Sequence, residues 1–227
     1  MTAFFDLDRT VLDVNSGRLW IRSEVRLGYL SRGQAARAAF HLARYHLGFA
    51  RIEAVIREAV ATLEGTPEAE LAARTEAFYH REVASRVRAG APAALAAHRA
   101  RGEPCVLLTT SSTYLSRLVQ ADLGFDDSLC NRFEVRPDGR FTGAPQEPLC
   151  YGAGKVQVAA AWAAARGIRL ADCAFYTDSF SDVPMLEAVG RPVAVHPDPR
   201  LARLARRRGW PTEDWGTASG RARGRFS

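Results

Sequence analysis

Lysine is almost missing from this 227-residue chain: of 31 basic residues, Lys155 alone is not an arginine. Where any cation serves, the chain uses arginine, so the one ammonium marks a place that needs a compact point charge rather than a planar fork. Apolar runs of roughly 18 to 20 residues, the length that crosses a bilayer, are also missing. Met1 and Thr2 lead straight into an apolar segment without a basic leader, so a soluble, cytoplasmic protein with no membrane partner is expected. Cysteine is scarce and unpatterned. Cys105, Cys130, Cys150 and Cys173 form no Cys-x-x-Cys pair, and the histidines show no His-x-x-x-His spacing. That argues against zinc and for free, buried thiols at Cys105 and Cys173. Aromatic residues are not interleaved with basic ones. The net charge of +6 gathers in Arg200 to Arg208 and in Arg221, Arg223 and Arg225. A solvated helix face and a frayed tail fit that distribution, and no nucleic-acid partner is expected.

What is present begins with Ala3-Phe4-Phe5-Asp6-Leu7-Asp8-Arg9-Thr10. The apolar start has the composition of a strand buried on both faces. Asp6 and Asp8 fall where it ends, and two-residue alternation turns both carboxylates to one side. Two crowded carboxylates at the edge of an apolar sheet repel each other, and a hard cation such as Mg²⁺ relieves that repulsion. From Asn15 to about Arg88 the pattern is helical nearly throughout, with an apolar stripe at Ile52, Val55, Ile56, Val60 and Leu63. Thr66 before Pro67 reads as an N-cap. Trp20, Phe40 and Tyr45 read as bundle core. After residue 90, strands and helices alternate: strands at Pro104 to Thr110, Ala174 to Thr177 and Arg191 to Val195, and a hairpin around Pro137-Asp138-Gly139. The expected fold is α/β, a parallel sheet covered by helices, formed by residues 1–13 and 90–215. A helical unit is inserted at 14–89, and residues 216–227 are expected to be disordered.

Open parallel sheets bind ligands beyond the carboxyl ends of their strands. One strand here ends in Asp6, Asp8 and Thr10, the next in Thr109, Thr110, Ser111 and Ser112. A third ends in Asp178, Ser179 and Asp182, and Lys155 opens the helix that precedes it. Carboxylates, hydroxyls and one ammonium converging on one rim describe a site for Mg²⁺ and a phosphoryl group. Taken structurally, Asp182 is a helix cap, Thr10 a turn residue and Ser111 to Thr113 an N-cap cluster.

Asp6-Leu7-Asp8-Arg9-Thr10, Leu108-Thr109-Thr110-Ser111, Gly154-Lys155 and Thr177-Asp178-Ser179-Phe180-Ser181-Asp182 resemble, in order and spacing, the four motifs of the haloacid dehalogenase superfamily. The likeness is closest to its phosphoserine-phosphatase-like subfamily and spans about Phe4 to Trp215. It implies a Rossmann-like core with a helical C1-type cap, and a phosphatase acting on a small phosphorylated metabolite. Asp6 is then the nucleophile and Asp8 the general acid and base. Asp6, Asp8 (through its carbonyl) and Asp178 hold Mg²⁺. Thr109, Thr110 and Lys155 hold the phosphoryl oxygens. Thr10 braces Asp8, Ser179 supports the site, and Asp182 orients Lys155 or a metal-bound water. Arg9 stands where the family usually has glycine. Asn15 stands where phosphoserine phosphatases carry a glutamate for the substrate ammonium, and Arg51 and Arg57 lie near the expected carboxylate reader. Phosphoserine and histidinol phosphate are the candidate substrates. The rivals are halide displacement by the same nucleophile and a non-enzymatic phospho-accepting switch. Oligomeric state is left open.

Overall fold

The computed structural model describes residues 1–31, 33 and 52–218. Its centre is β1 (Ala3–Phe5), three residues with no exposed surface. They pair in parallel with β2 (Cys105–Ser112) on one side and β6 (Ala174–Thr177) on the other, with Phe5 opposite both Leu107 and Tyr176. With β3 (Asp127–Asn131), β7 (Arg191–Val195) and β8 (Thr212–Glu213) the six strands run β3-β2-β1-β6-β7-β8, every pair parallel.

A strand sandwiched this way must be apolar on both faces, and it is. Phe5 stacks on Tyr176 at 4.7 Å on one face, while Phe4 meets the edge of Trp162 at 5.6 Å on the other. The first face is closed by α4 (Ala91–Arg99) and α5 (Thr113–Leu123), through Leu95, Leu115 and Val119. The second is closed by α6 (Ala153–Ala164), α7 (Val183–Ala188) and α8 (Pro199–Arg208), through Ala159, Met185 and Leu201. Each fully buried Phe or Leu contributes about 1.5–3 kcal/mol, so the two cores define the register of β1. On α8 Leu201 and Ala205 face inward while Arg203, Arg206, Arg207 and Arg208 face solvent, the solvated face expected. All four cysteines are free, and burial pushes the Cys105 thiol up to about 11.

Between β1 and α4 lie α1 (Ser16–Arg26), α2 (Ile52–Ala61) and α3 (Glu68–Phe78), the helical insert the apolar stripe implied. Trp20 packs edge-on against Phe78 at 5.2 Å, whereas Phe40 and Tyr45 lie outside the described residues. The chain enters and leaves the insert side by side, with Leu12 bridged to Val87 and the Arg88 N–H donating to the Val11 carbonyl at 2.9 Å. A hairpin of β4 (Phe133–Val135) and β5 (Phe141–Pro145) makes a second attachment. The Gly65 N–H donates to Phe141 O and the Phe141 N–H to Thr66 O, both at 3.0 Å. The Tyr114 hydroxyl donates to Glu68 at 2.9 Å.

Three expectations need correction. Pro67, not Thr66, occupies the N-cap of α3, because the Thr66 backbone is committed to the hairpin. β3 and β8 were invisible: Asp-Ser-Leu-Cys-Asn and Thr-Glu carry no alternating apolar pattern, and only pairing with a neighbour makes them strands. The disorder expected from Gly216 does not hold for Gly216–Ala218. Arg88 donates to the Gly216 carbonyl at 2.5 Å and the Ala218 N–H to Asp13 at 3.1 Å; residues 219–227 lie outside the described residues.

Arg9 has φ 60°, a left-handed conformation that costs a non-glycine residue about 1–2 kcal/mol. Its side chain is exposed. Arg9→Gly is therefore expected to stabilise the protein by about 0.5–1 kcal/mol after the added freedom of the unfolded chain is subtracted. Thermal unfolding would show this as a rise of about 2 °C.

Candidate active site

β1 stops at Phe5 because the chain turns sharply there. Asp6 stays extended and its N–H donates to the Tyr176 carbonyl at 2.9 Å. Leu7–Val11 then make one wide turn, with Asp8 extended and Arg9 left-handed, closed by the Leu12 N–H on the Leu7 carbonyl at 2.9 Å. The turn presents Asp6, Asp8 and Thr10 at the carboxyl edge of the sheet.

Lys155, from the first turn of α6, reaches this edge from 149 residues away in sequence. Its Nζ donates to Asp6 at 2.7 Å and to Asp182 at 2.8 Å, and the side chain is 2% exposed. Asp182 also accepts the Thr177 hydroxyl at 2.7 Å and makes no side-chain capping bond to α7. Orienting Lys155, rather than capping, is what its carboxylate does. Gly154 precedes the lysine for a steric reason: a Cβ there would lie 1.9 Å from the Leu149 carbonyl oxygen.

Thr10 sits between two acids. Its hydroxyl lies 3.4 Å from both Asp6 and Asp178 and accepts the Asp178 N–H at 2.9 Å. The expected brace of Asp8 is thus corrected. Asp8 is held instead by the Ser16 N–H at 2.9 Å, at the amino end of α1, where free backbone donors favour an anion. The sequence carried that signal in Asn15, which caps α1 by accepting the Arg18 N–H at 2.9 Å and so places Ser16 in the first turn.

β2 lies beside β1 in register, so Thr109 leaves the sheet at the same edge as Asp6. Thr109 is 2% exposed, and its hydroxyl oxygen accepts the Ser111 N–H at 3.1 Å, leaving its own proton free to donate. Thr110 follows it. Ser112 occupies the N-cap of α5 without a side-chain capping bond. Ser179 spends its hydroxyl on Ser181 at 2.8 Å. Of the substrate-reading candidates, Arg57 is engaged by Glu147 at 2.5 Å, Asn15 serves as a cap, and Arg51 lies outside the described residues.

Two carboxylates, Asp6 and Asp182, hold one buried lysine, and Asp8 and Asp178 lie close enough to act on the charge of Asp6. Burial pushes Asp6 up to about 7 although Lys155 pulls the other way, and burial with Asp6 and Asp182 nearby pushes Asp178 up to about 8. Burial also raises Asp8 against the pull of Ser16. Burial would lower Lys155, but Asp182 and Asp6 outweigh it and hold the ammonium protonated. The surplus negative charge at Asp6 and Asp178 suits a divalent cation. Among the described residues no group of three or more His, Cys, Asp or Glu side chains is arranged to hold a metal ion by itself. Asp6 and Asp178 offer oxygen donors only, the ligand type that a hard cation such as Mg²⁺ takes.

The family model for haloacid dehalogenase-like hydrolases matches residues 3–187. The chain belongs to that family, on its phosphoserine-phosphatase-like branch, and is a phosphoric monoester hydrolase. It is 34% identical to the phosphoserine phosphatase SerB1 of Mycobacterium tuberculosis, covering 97% of this chain and 73% of that protein. A histidinol-phosphatase of Neisseria meningitidis is 26% identical over 92% of this chain and 96% of its own. The crystal structure of a Bordetella pertussis protein of unknown function superposes with a TM-score of 0.87 at 32% identity, covering 94% of this chain and 98% of that one.

Gly154→Ala is expected to push the start of α6 away from Leu149 and carry Lys155 off Asp6. A displacement near 1 Å corresponds to a loss of about 10²-fold in turnover. Steady-state hydrolysis of an aryl phosphate by the folded variant measures it.

Proposed function

We propose that the protein is a Mg²⁺-dependent phosphatase of a small phosphorylated metabolite, working through an aspartyl-phosphate on Asp6. The observation that carries the reading is the buried Lys155 ammonium at 2.7 Å from Asp6 and 2.8 Å from Asp182, with Thr10 joining Asp6 to the buried Asp178. Asp6 and Asp178, with the Asp8 carbonyl, would hold the ion. A bound Mg²⁺ offsets the repulsion between the attacking carboxylate and the phosphoryl group. Asp6 attacks phosphorus, and the ester bond to the alcohol breaks. Asp8, whose burial favours keeping its proton, hands it to the departing oxygen. Asp8 then takes a proton from the water that hydrolyses the aspartyl-phosphate, regenerating Asp6. Lys155 and the Thr109 hydroxyl hold the phosphoryl oxygens, where charge spreads in the transition state.

The substrate reading rests on the relatives' names and on the insert. Phosphoserine and histidinol phosphate are the candidates. Asn15 offers no negative charge to a substrate ammonium, and Arg57 would have to leave Glu147 to bind a substrate carboxylate. A panel of phosphorylated amino acids, amino alcohols and sugars, assayed with Mg²⁺ for phosphate release, ranks them.

Two further outcomes are expected. Asp6→Asn lowers kcat by at least about 10³-fold, as loss of a nucleophile does. EDTA abolishes turnover of p-nitrophenyl phosphate and Mg²⁺ restores it. Haloacid cleavage that survives EDTA would move the assignment to dehalogenation, and a long-lived phospho-Asp6 without turnover to a phospho-accepting switch.

The raised carboxylates also give metal binding a direction with pH. Asp6 and Asp178 titrate near 7 and 8 in the metal-free protein and carry their charges only above those values. Their burial destabilises the fold increasingly as pH rises from about 4 toward 8. Mg²⁺ binds the charged forms, so its stabilisation should be small at pH 5.5 and grow through pH 8.5. Thermal shift with and without Mg²⁺ at the two pH values reads the difference.

A further inference from the structure

β2 and β3 pair regularly from Val106–Asp127 to Leu108–Leu129, then slip, so that Ser112 next meets Asn131. The slip leaves Thr109 to Ser111 without the regular ladder at the point where Thr109 must be held. A side chain takes its place. Asn131, 3% exposed, donates through Nδ2 to the Thr110 carbonyl at 2.6 Å and accepts the Cys150 N–H on Oδ1 at 2.8 Å.

Both bonds lead toward the groups proposed above to hold the phosphoryl oxygens. The Thr110 carbonyl belongs to the same peptide plane as the Ser111 N–H, and that N–H donates to the Thr109 hydroxyl oxygen at 3.1 Å. Fixing the carbonyl fixes the plane, and the plane fills the acceptor side of the Thr109 hydroxyl, so its proton points outward as a donor. The Cys150 N–H belongs to the loop Leu149–Gly152 that runs into α6. There the Gly154 N–H closes on the Tyr151 carbonyl at 2.8 Å, one residue before Lys155. Two loops far apart in sequence thus meet on one buried amide.

We propose that Asn131 is a positioning residue for phosphoryl binding, aligning the Thr109 hydroxyl through the Thr110–Ser111 peptide and Lys155 through the Cys150 loop. The proposal rests on the phosphatase reading above. Asn131 has no direct role in the chemistry and touches neither Asp6 nor Asp178 in the hydrogen-bond pattern, so it aligns the phosphate groups without setting the metal ligands.

Asn131→Asp separates the two arms, keeping an acceptor for Cys150 while replacing the donor to Thr110 with an oxygen that repels its carbonyl. Asn131→Ala removes both, and Asn131→Ser supplies a smaller donor if Ala folds poorly. With Mg²⁺ and p-nitrophenyl phosphate, Asn131→Asp and Asn131→Ala are expected to lose about 10- to 100-fold in kcat/KM. Inhibition by orthovanadate should weaken in parallel, while the Mg²⁺ thermal shift stays at the wild-type value. Combined with Thr109→Val, Asn131→Asp should add little beyond Thr109→Val alone, because the two act along one chain of bonds. Wild-type kcat/KM and vanadate affinity in folded Asn131 variants, or full additivity with Thr109→Val, would overturn the proposal while leaving the phosphatase reading standing. A wild-type protein with no phosphate release from any ester would overturn both.

Discussion

One ammonium buried among carboxylates is the constraint on which this molecule is arranged. Lys155 donates to Asp6 and Asp182 with almost no exposure, and a lysine in that position is tolerable only if both acids arrive. Removing one partner of such a group leaves an uncompensated buried charge, at a cost of about 3–5 kcal/mol. Asp6 comes from the end of β1, Asp182 from the turn after β6, and Lys155 from α6. The contact therefore ties the two central strands to a helix on one face of the sheet. It also explains why arginine cannot stand at 155: a planar fork with five donors does not fit between two single acceptor oxygens in so small a space.

The remaining acids follow from the same crowding. Thr10 stands between Asp6 and Asp178 with its hydroxyl, and Asp8 is drawn off to the amino end of α1 by the Ser16 N–H. Two similar carboxylates, two residues apart, are thereby given different surroundings. One faces the ammonium and the other a helix terminus, which is the asymmetry a nucleophile and a proton carrier require. The insert is not an appendage to this arrangement. Its first helix supplies the donor for Asp8, and its far end is pinned by the hairpin and Tyr114.

Much of this was legible beforehand because the relevant signals are local. An apolar run ending in acids, a Gly-Lys pair opening a helix and hydroxyls at a strand end are each short patterns with a physical meaning. Where local reading failed, a partner distant in sequence was responsible. Thr66 has the chemistry of a cap but gives its backbone to Phe141; Thr10 lies nearest Asp8 in sequence but bonds across to Asp178. Asn131 carries no local signal of its own, and only the slip between β2 and β3 brings its amide between two loops.

The amino-acid sequence by itself determined the class of fold, the four groups of chemistry-bearing residues and the lone lysine, since hydrophobic period and residue type are properties of short segments. Only the tertiary structure decided which oxygen each donor meets, that two edge segments are strands, and which acid the ammonium holds. Those outcomes depend on distances between separate segments of the chain, up to 168 positions apart, and such distances exist only once both faces of the sheet have closed.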